Sequence, residues 1–316
     1  MATHSWVLDA PSGVYKNHDL SSEIRMAAIA QCICMQFVNT EAGYGKKKGE
    51  SVTITRVSNV AVPTSDILDE RTRISEDSIT LSTQAVAVYE RGRAIPYTSL
   101  SLDLAHFDLE NAIQKKLRDQ LKLSMDGAAA TAFKSGKVKA IPNGAASIVF
   151  DTGGVASTTA TVNLNLYHIE QIRDYMFSTL LINPMSDGNY ACMISTKGKR
   201  GIMGDTRWED WHKYITNEKK YNSELGKLEG VRFVESNNTS AFSATKGTGS
   251  VLGEAVFFGD DAVSMAVVIE PELRAKESDD YGRSKGVAWY GNYGFGQIWS
   301  DSATAGEARV VHVTSS

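Results

Sequence analysis

Gly49-Glu-Ser-Val-Thr-Ile-Thr-Arg56 and Ser78-Ile-Thr-Leu-Ser-Thr-Gln-Ala-Val-Ala-Val-Tyr89 bracket the stretch on which the fold of this chain turns. Both runs alternate. Val52, Ile54, Val60 and Val62 share one parity, with Ser51, Thr53 and Thr55 on the other; Ile79, Leu81, Ala85, Ala87 and Tyr89 share one parity of the second run. Between them lies a polar tip, Ser65-Asp-Ile-Leu-Asp-Glu-Arg-Thr-Arg-Ile-Ser75. The pattern predicts a long β-hairpin over residues 46–97 with almost no core of its own. A lone two-stranded ribbon is marginal in water, so one this long is expected to rest on another molecule. The residues expected to make that contact are Val52, Ile54, Val60, Arg71, Arg73, Ile79 and Leu81.

Working outward, the hairpin runs into the clearest helix in the sequence. Asp108 is a plausible N-cap, and Leu109, Ile113, Leu117, Leu121, Met125, Ala129 and Phe133 recur at a spacing of four. Lys115, Lys116, Arg118, Asp119 and Lys122 fill the rest, and Gly127-Ala-Ala-Ala130 suits close approach of another element. Before the hairpin, residues 1–45 read as a mixed arm ending in a hinge, Gly43-Tyr-Gly-Lys-Lys-Lys-Gly49. After the helix, Asn143 to Thr161 reads as a connection into a second lobe. That lobe should hold a helix near Leu164 to Leu181, a turn at Asn183–Gly188 and a buried strand Tyr190–Ile194. A helix around Asp205 to Ile215 and a strand Leu228–Val234 should follow. The tail is β-rich: Ala255–Phe258, Val263–Ile269, Gly286–Trp299 and Arg309–Val313. The order gives an α+β chain without βαβα alternation, which disfavours a doubly wound nucleotide fold.

At 316 residues, with 42% hydrophobic and 22% charged residues, the chain can bury a sizeable core. A net charge of −4 leaves no excess of cations for gripping a polyanion. No apolar run approaches the ~20 residues of a membrane helix, and Met26 to Val38 lacks the basic flank of a secretory signal. Cys32, Cys34 and Cys192 fit neither a disulfide framework nor a four-ligand zinc site and read as reduced thiols. The overlapping sequons at Asn237 and Asn238 then carry no meaning.

Motifs that would carry chemistry are weak. The Gly43–Gly49 hinge lacks the Walker spacing and precedes a strand. Ser243-Ala-Thr-Lys246 matches S-x-x-K without its companion motifs. The histidines at 4, 18, 106, 168, 212 and 312 make no pair on one helical face, so no metal site is expected. Asp260-Asp261 and Asp279-Asp280 read as solvated turn acids, and Trp208 with Trp211 as core rather than base-stacking residues. No catalytic centre and no cofactor are expected.

In this order, arm, hairpin, long helix, second lobe and closing strands, the chain resembles the major capsid proteins of tailed double-stranded DNA phages, podophage-type, with the HK97-like fold. Local runs are similar too. Lys48-Gly-Glu-Ser-Val-Thr-Ile54 resembles the start of that family's extended loop and Tyr89-Glu-Arg-Gly-Arg-Ala-Ile-Pro-Tyr-Thr98 its return. Leu225-Gly-Lys-Leu-Glu-Gly-Val-Arg-Phe-Val-Glu235 resembles the axial-domain strand, and Phe257-Phe-Gly-Asp-Asp-Ala262 the re-entry to the peripheral domain. The resemblance implies an N-terminal arm (1–45), an extended-loop hairpin (46–97) and a peripheral domain with spine helix (98–155). An axial domain (156–253) and peripheral return strands (254–316) complete it. It implies a structural coat subunit forming hexamers and pentamers of an icosahedral shell around DNA, assembled in the host cytoplasm with a separate scaffolding protein and a portal. A decoration or cement protein is an optional further partner, and DNA is met by proximity without sequence readout. The alternatives are an encapsulin-like nanocompartment shell, a tail or decoration protein, and a cytoplasmic hydrolase.

Overall fold

The computed structural model describes residues 28–41, 49–63, 65–71, 73–105, 108–205, 207–208, 221–277 and 280–316. Most of the arm, the Lys46–Lys48 hinge and the helix expected around Trp211 lie outside them. The elements, in chain order, begin with strands β1 (Val38–Thr40), β2 (Ser51–Val57), β3 (Leu81–Ala87) and β4 (Tyr89–Thr98). Helices α1 (Ser99–Leu104) and α2 (Leu109–Lys134) come next, then β5 (Lys139–Gly144), β6 (Ser147–Asp151), α3 (Leu166–Asp174), β7 (Tyr190–Ser195) and α4 (Thr196–Met203). The chain closes with β8 (Glu224–Leu228), β9 (Val231–Ser236), β10 (Ala255–Phe258), β11 (Val263–Ala275), β12 (Ser284–Gly296) and β13 (Val310–Val313). This is the α+β class expected from the sequence.

Two sheets form the body. The larger has seven strands in the order β6-β5-β13-β10-β7-β9-β8; the smaller has four, β1-β11-β12-β4. The expected boundary at residue 253 therefore does not separate the sheets. β13 and β10 lie inside the larger sheet, between β5 and β7, whereas β11 and β12 lie in the smaller one.

The central strands β13, β10 and β7 are buried at every position, and mostly apolar, because both faces of the sheet are covered. Tyr190, Cys192 and Ile194 of β7 and Ala255 and Phe257 of β10 join the α3 side, with Leu166, Ile169 and Ile172. Ala191, Met193, Val256 and Phe258 point the other way, into a cluster with Ala129, Ala130 and Phe133 of α2. Phe133 and Phe258 sit 4.9 Å apart, ring to ring.

Helix α2 starts where its cap predicts: the Asp108 carboxylate accepts from the Asn111 N–H at 3.0 Å. Its 26 residues span ~39 Å, long enough to lie across both sheets. The first half packs Leu117 against Val287 and Trp289 of the small sheet, and the Trp289 indole N–H donates to Gln120 Oε1 at 3.1 Å. The second half, rich in alanine, enters the large sheet's core closely because its side chains are small. Asp126, fully buried between these halves, accepts from the Cys34 N–H at 2.9 Å and Asn238 Nδ2 at 3.0 Å, tying the segment before β1 to the helix.

Three local expectations change. The run Leu228–Val234 is not one strand: Glu229 and Gly230, both at positive φ, turn β8 back onto β9. The connection expected over Asn143–Thr161 begins as a hairpin, β5 paired antiparallel with β6. The helix expected to Leu181 gives up α-helical bonding at Tyr175, where a π-helical turn takes over to Thr179.

The 49–89 hairpin forms, but shorter than expected. β2 and β3 pair from Ser51↔Ala87 to Val57↔Leu81, with one further bond, Ser58 N–H to Thr80 O, at 3.1 Å. The described residues between 58 and 80 belong to no strand. Pro63 lacks an N–H to donate to a ladder, and Val60 and Val62 are exposed. Tyr89–Thr98 leaves the hairpin and becomes β4, paired with β12 over ten positions. The hairpin base is seated on β12 through glycine: a Cβ on Gly294 would stand 1.9 Å from the Ala87 carbonyl oxygen. Gly294→Ala is expected to destabilise the subunit by about 2–3 kcal/mol, since backbone must move to admit the methyl. Urea denaturation reads it as a lowered midpoint; an unchanged midpoint contradicts that seating.

Candidate interaction surface

Register decides which face of the hairpin is free. Directly opposed residues of an antiparallel pair share a face. Val52↔Val86, Ile54↔Gln84 and Arg56↔Ser82 therefore lie together, while Thr53↔Ala85, Thr55↔Thr83 and Val57↔Leu81 occupy the other side. The first face is turned onto the subunit's own body. Val86 is buried and would meet a Cβ added at Gly296. Arg56, 7% exposed, donates from Nη1 to the Ile298 carbonyl at 2.8 Å, grips the Asp301 carboxylate with both Nη atoms and stands 4.8 Å from the Trp299 ring centre. The hydrogen bond from Arg56 holds the Asp301 carboxyl below its usual range. Sequence reading missed this anchor, because its partners lie more than two hundred residues away.

The two apolar parities of the hairpin thus belong to opposite faces. Val52 and Ile54, expected to meet a neighbour, are half-buried on the intramolecular face. Leu81, by contrast, is 65% exposed opposite Val57 at 57%, and Ile79 and Val60 are exposed beyond them. Arg71 and Arg73 sit on the exposed tip. The Arg71 N–H donates to Asp69 Oδ1 at 3.1 Å, and Arg73 pairs with Glu76. Nine of the seventeen exposed large hydrophobic side chains among the described residues fall between Val57 and Tyr89. That concentration exceeds the scattered apolar residues of an ordinary surface and makes the hairpin the candidate contact surface.

The motifs considered for chemistry resolve into structure. His168 is buried, its Nδ1 accepting from the Asn165 N–H at 3.2 Å and its Nε2 standing 2.8 Å from the Gly144 carbonyl. Burial lowers its pKa. The Ser243 N–H donates to Glu254 Oε2 at 2.7 Å, and Lys246 lies 3.8 Å from the same carboxylate, so this pair holds a loop. Asp261, at φ 52°, turns β10 into β11 and accepts from Asn39 Nδ2 at 3.1 Å. Trp208 is core, edge-on to Phe233 at 6.1 Å. Burial raises the Cys34 and Cys192 thiols well above their ordinary value, which keeps them protonated and unreactive. Among the described residues no cluster of His, Cys, Asp and Glu has the arrangement of a metal site, and no helix is long and apolar enough to cross a membrane. A cleft of about 450 Å³ beside the hairpin base is lined by Tyr89, Arg91, Gly127, Thr131 and Phe295, with no carboxylate, histidine or cysteine.

No protein-family model and no curated protein sequence matches this chain. Solved structures do. The capsid asymmetric unit of cyanophage Pam1 is similar with a TM-score of 0.70 at 14% identity, over 99% of this chain and 98% of that one. The capsid of Ralstonia phage GP4 gives 0.68 at 15% identity, over 98% of each chain. The head of Helicobacter pylori bacteriophage KHP40 gives 0.62 at 11% identity, over 98% and 97%. The likeness runs end to end, so the chain has the fold of these particles' subunits, the α+β HK97-like coat fold.

Proposed function

We propose that this chain is the major capsid protein of a tailed double-stranded DNA phage, a structural subunit that assembles with copies of itself into hexamers and pentamers of an icosahedral shell. One observation carries the reading: an ordered hairpin that anchors one face on its own subunit through Arg56 and leaves the other, Val57, Leu81 and Ile79, apolar and uncovered. Covering a leucine or isoleucine is worth ~1.5–3 kcal/mol. A handful of such side chains per contact gives weak, reversible pairing of two subunits. Repetition around a closed shell then makes the whole stable by multivalency.

In this reading the segments divide as a coat subunit does: arm 1–45, extended loop 46–97, peripheral domain with α2 as spine over 98–155, axial domain 156–253, and return strands 254–316. Val60, Ile79, Leu81, Arg71 and Arg73 face the neighbouring subunit. Val52 and Ile54 support the contact from behind by fixing the hairpin's pose. The encapsulin-like alternative is not favoured, because the solved capsids named above, which match this chain end to end, are those of phages. A scaffolding protein and a portal during assembly, and packaged DNA inside, are the partners this role requires; the virion is its final location. Negative-stain microscopy of the chain expressed with its neighbouring genes tests the reading. Closed icosahedral shells with DNA-packaging genes alongside are expected; shells filled with an enzyme cargo favour the encapsulin alternative.

With a net charge of −4, the free subunit is expected to bind duplex DNA weakly and with a steep salt dependence, Lys46, Lys47 and Lys48 supplying most of it. A mobility-shift assay at physiological salt should show no sequence preference, and a discrete sequence-specific complex contradicts this.

A further inference from the structure

The C-terminal end of α2 is held from two sides. From the small sheet, Gln297 Nε2 donates to the carbonyls of Ala132 and Phe133, both at 2.8 Å. From the large sheet, Lys139 Nζ of β5 donates to the last helical carbonyl, Lys134 O, at 2.8 Å. The same ammonium lies 3.3 Å from Nδ1 of His312 on β13. Lys139 and His312 are both almost fully buried, as is Glu254, which enters β10.

This pocket is crowded with charge. The Glu254 carboxylate stands 3.4 Å from His312 Nε2, 3.6 Å from Lys134 Nζ and 3.8 Å from Lys246 Nζ. It also accepts from the Ser243 N–H at 2.7 Å and the Thr314 hydroxyl at 3.4 Å. Lys134 in turn donates to the Ala241 carbonyl at 2.7 Å. One carboxylate thus faces two lysines, while a third, Lys139, meets the other ring nitrogen of His312. His312 fits among them only as the neutral tautomer whose Nδ1 lone pair receives Lys139 and whose Nε2–H faces Glu254.

We propose that His312, Lys139 and Glu254 form a proton-released latch between α2 and the large sheet. A proton taken from solvent must go to Nδ1, the ring's one basic lone pair, displacing the Lys139 hydrogen bond it accepts. Nδ1 then becomes a donor facing an ammonium 3.3 Å away, so the hydrogen bond is lost and two cations oppose each other. Lys139 must withdraw, and with it goes its bond to the end of α2. Gln297 stays, so the helix keeps its hold on the small sheet while its joint to β5 and β13 loosens.

The titration directions agree. Burial lowers the His312 pKa from 6.5 to about 4; the Glu254 carboxylate pulls it upward, and the charges of Lys139 and Lys134 add to the lowering. Burial lowers Lys139 to about 8, so it remains mostly charged at neutral pH. Burial works to raise Glu254, but contact with His312, the Ser243 N–H and Lys134 outweigh it and leave it at about 2, ionised throughout the window. Between pH 6.5 and about 4 the unfolded or opened chain binds a proton at His312 that the closed form refuses. The latch is therefore intact above that window and weakens as pH falls through it.

Hydrogen–deuterium exchange of the full chain, corrected for intrinsic rates and read by peptide mass, tests this between pH ~7 and ~4. Peptides covering residues 130–144 and 308–314 are expected to gain roughly ten-fold or more in exchange as pH falls, while those in β11 and β12 hold. His312→Gln should remove that segment-specific pH dependence. Should His312→Gln not fold, Lys139→Met serves. It removes the opposing cation, so the imidazole titration followed by NMR should move up in pH and the opening should no longer track it. Uniform exchange changes across the subunit overturn the latch. So does a His312→Gln or Lys139→Met protein that opens at the same pH as wild type.

Discussion

Leu117→Asp is expected to leave no folded subunit. Leu117 is fully buried where α2 crosses the small sheet, closed in by Val287 and Trp289, with Ile113 and Leu121 on either side. The substitution forfeits the ~1.5–3 kcal/mol of burying the leucine. It also places there a charge with no partner, which costs several kcal/mol. Against a total stability of ~5–15 kcal/mol for a natural domain, the sum removes most or all of it. Circular dichroism should show reduced ellipticity and no cooperative thermal transition. A variant that melts within a few degrees of wild type would mean that α2 is not an internal strut.

Leu81→Asp is expected to do the opposite: spare the subunit and abolish the particle. Leu81 projects from the free face of the hairpin beside Val57, so in the isolated subunit the new charge stays in water and changes stability by no more than ~0.5 kcal/mol. Once a neighbour covers that face, each copy buries an unpaired carboxylate at a cost of several kcal/mol. The penalty recurs at every contact of a shell. Unaltered circular dichroism together with loss of fast-sedimenting material is the expected pair of results. Ile54→Asp cannot make this separation, because Ile54 shares the face that Arg56 and Val86 hold against the body.

That difference shows where sequence legibility stopped. The alternation within each hairpin strand was readable, because side chains alternate strictly along a strand. Which parity of β2 shares a face with which parity of β3 depends on register, and a long irregular tip between them gives no turn from which to count. Helix α2 was readable to within a residue, its cap and spacing-four stripe being local signals. The strands Tyr190–Ser195 and Ala255–Phe258 were readable as short apolar runs. Their placement side by side in one sheet was not, since it joins segments sixty residues apart. Arg56, Asp126 and Glu254 carried no sequence signal at all: each is an ordinary surface residue type, buried here by partners distant in the chain. The end-to-end order of elements, more than any single motif, carried the resemblance to capsid subunits.

The central claim is that the uncovered hairpin face joins copies of this chain. Sucrose-gradient sedimentation of wild type beside Leu81→Asp, each expressed with its assembly partners and checked by electron microscopy, tests it most directly. The account predicts that wild type sediments as capsomers and closed shells, while Leu81→Asp remains as folded subunits at the top of the gradient. A wild-type chain that stays monomeric and folded under every assembly condition contradicts the account, as does a Leu81→Asp chain that builds normal shells.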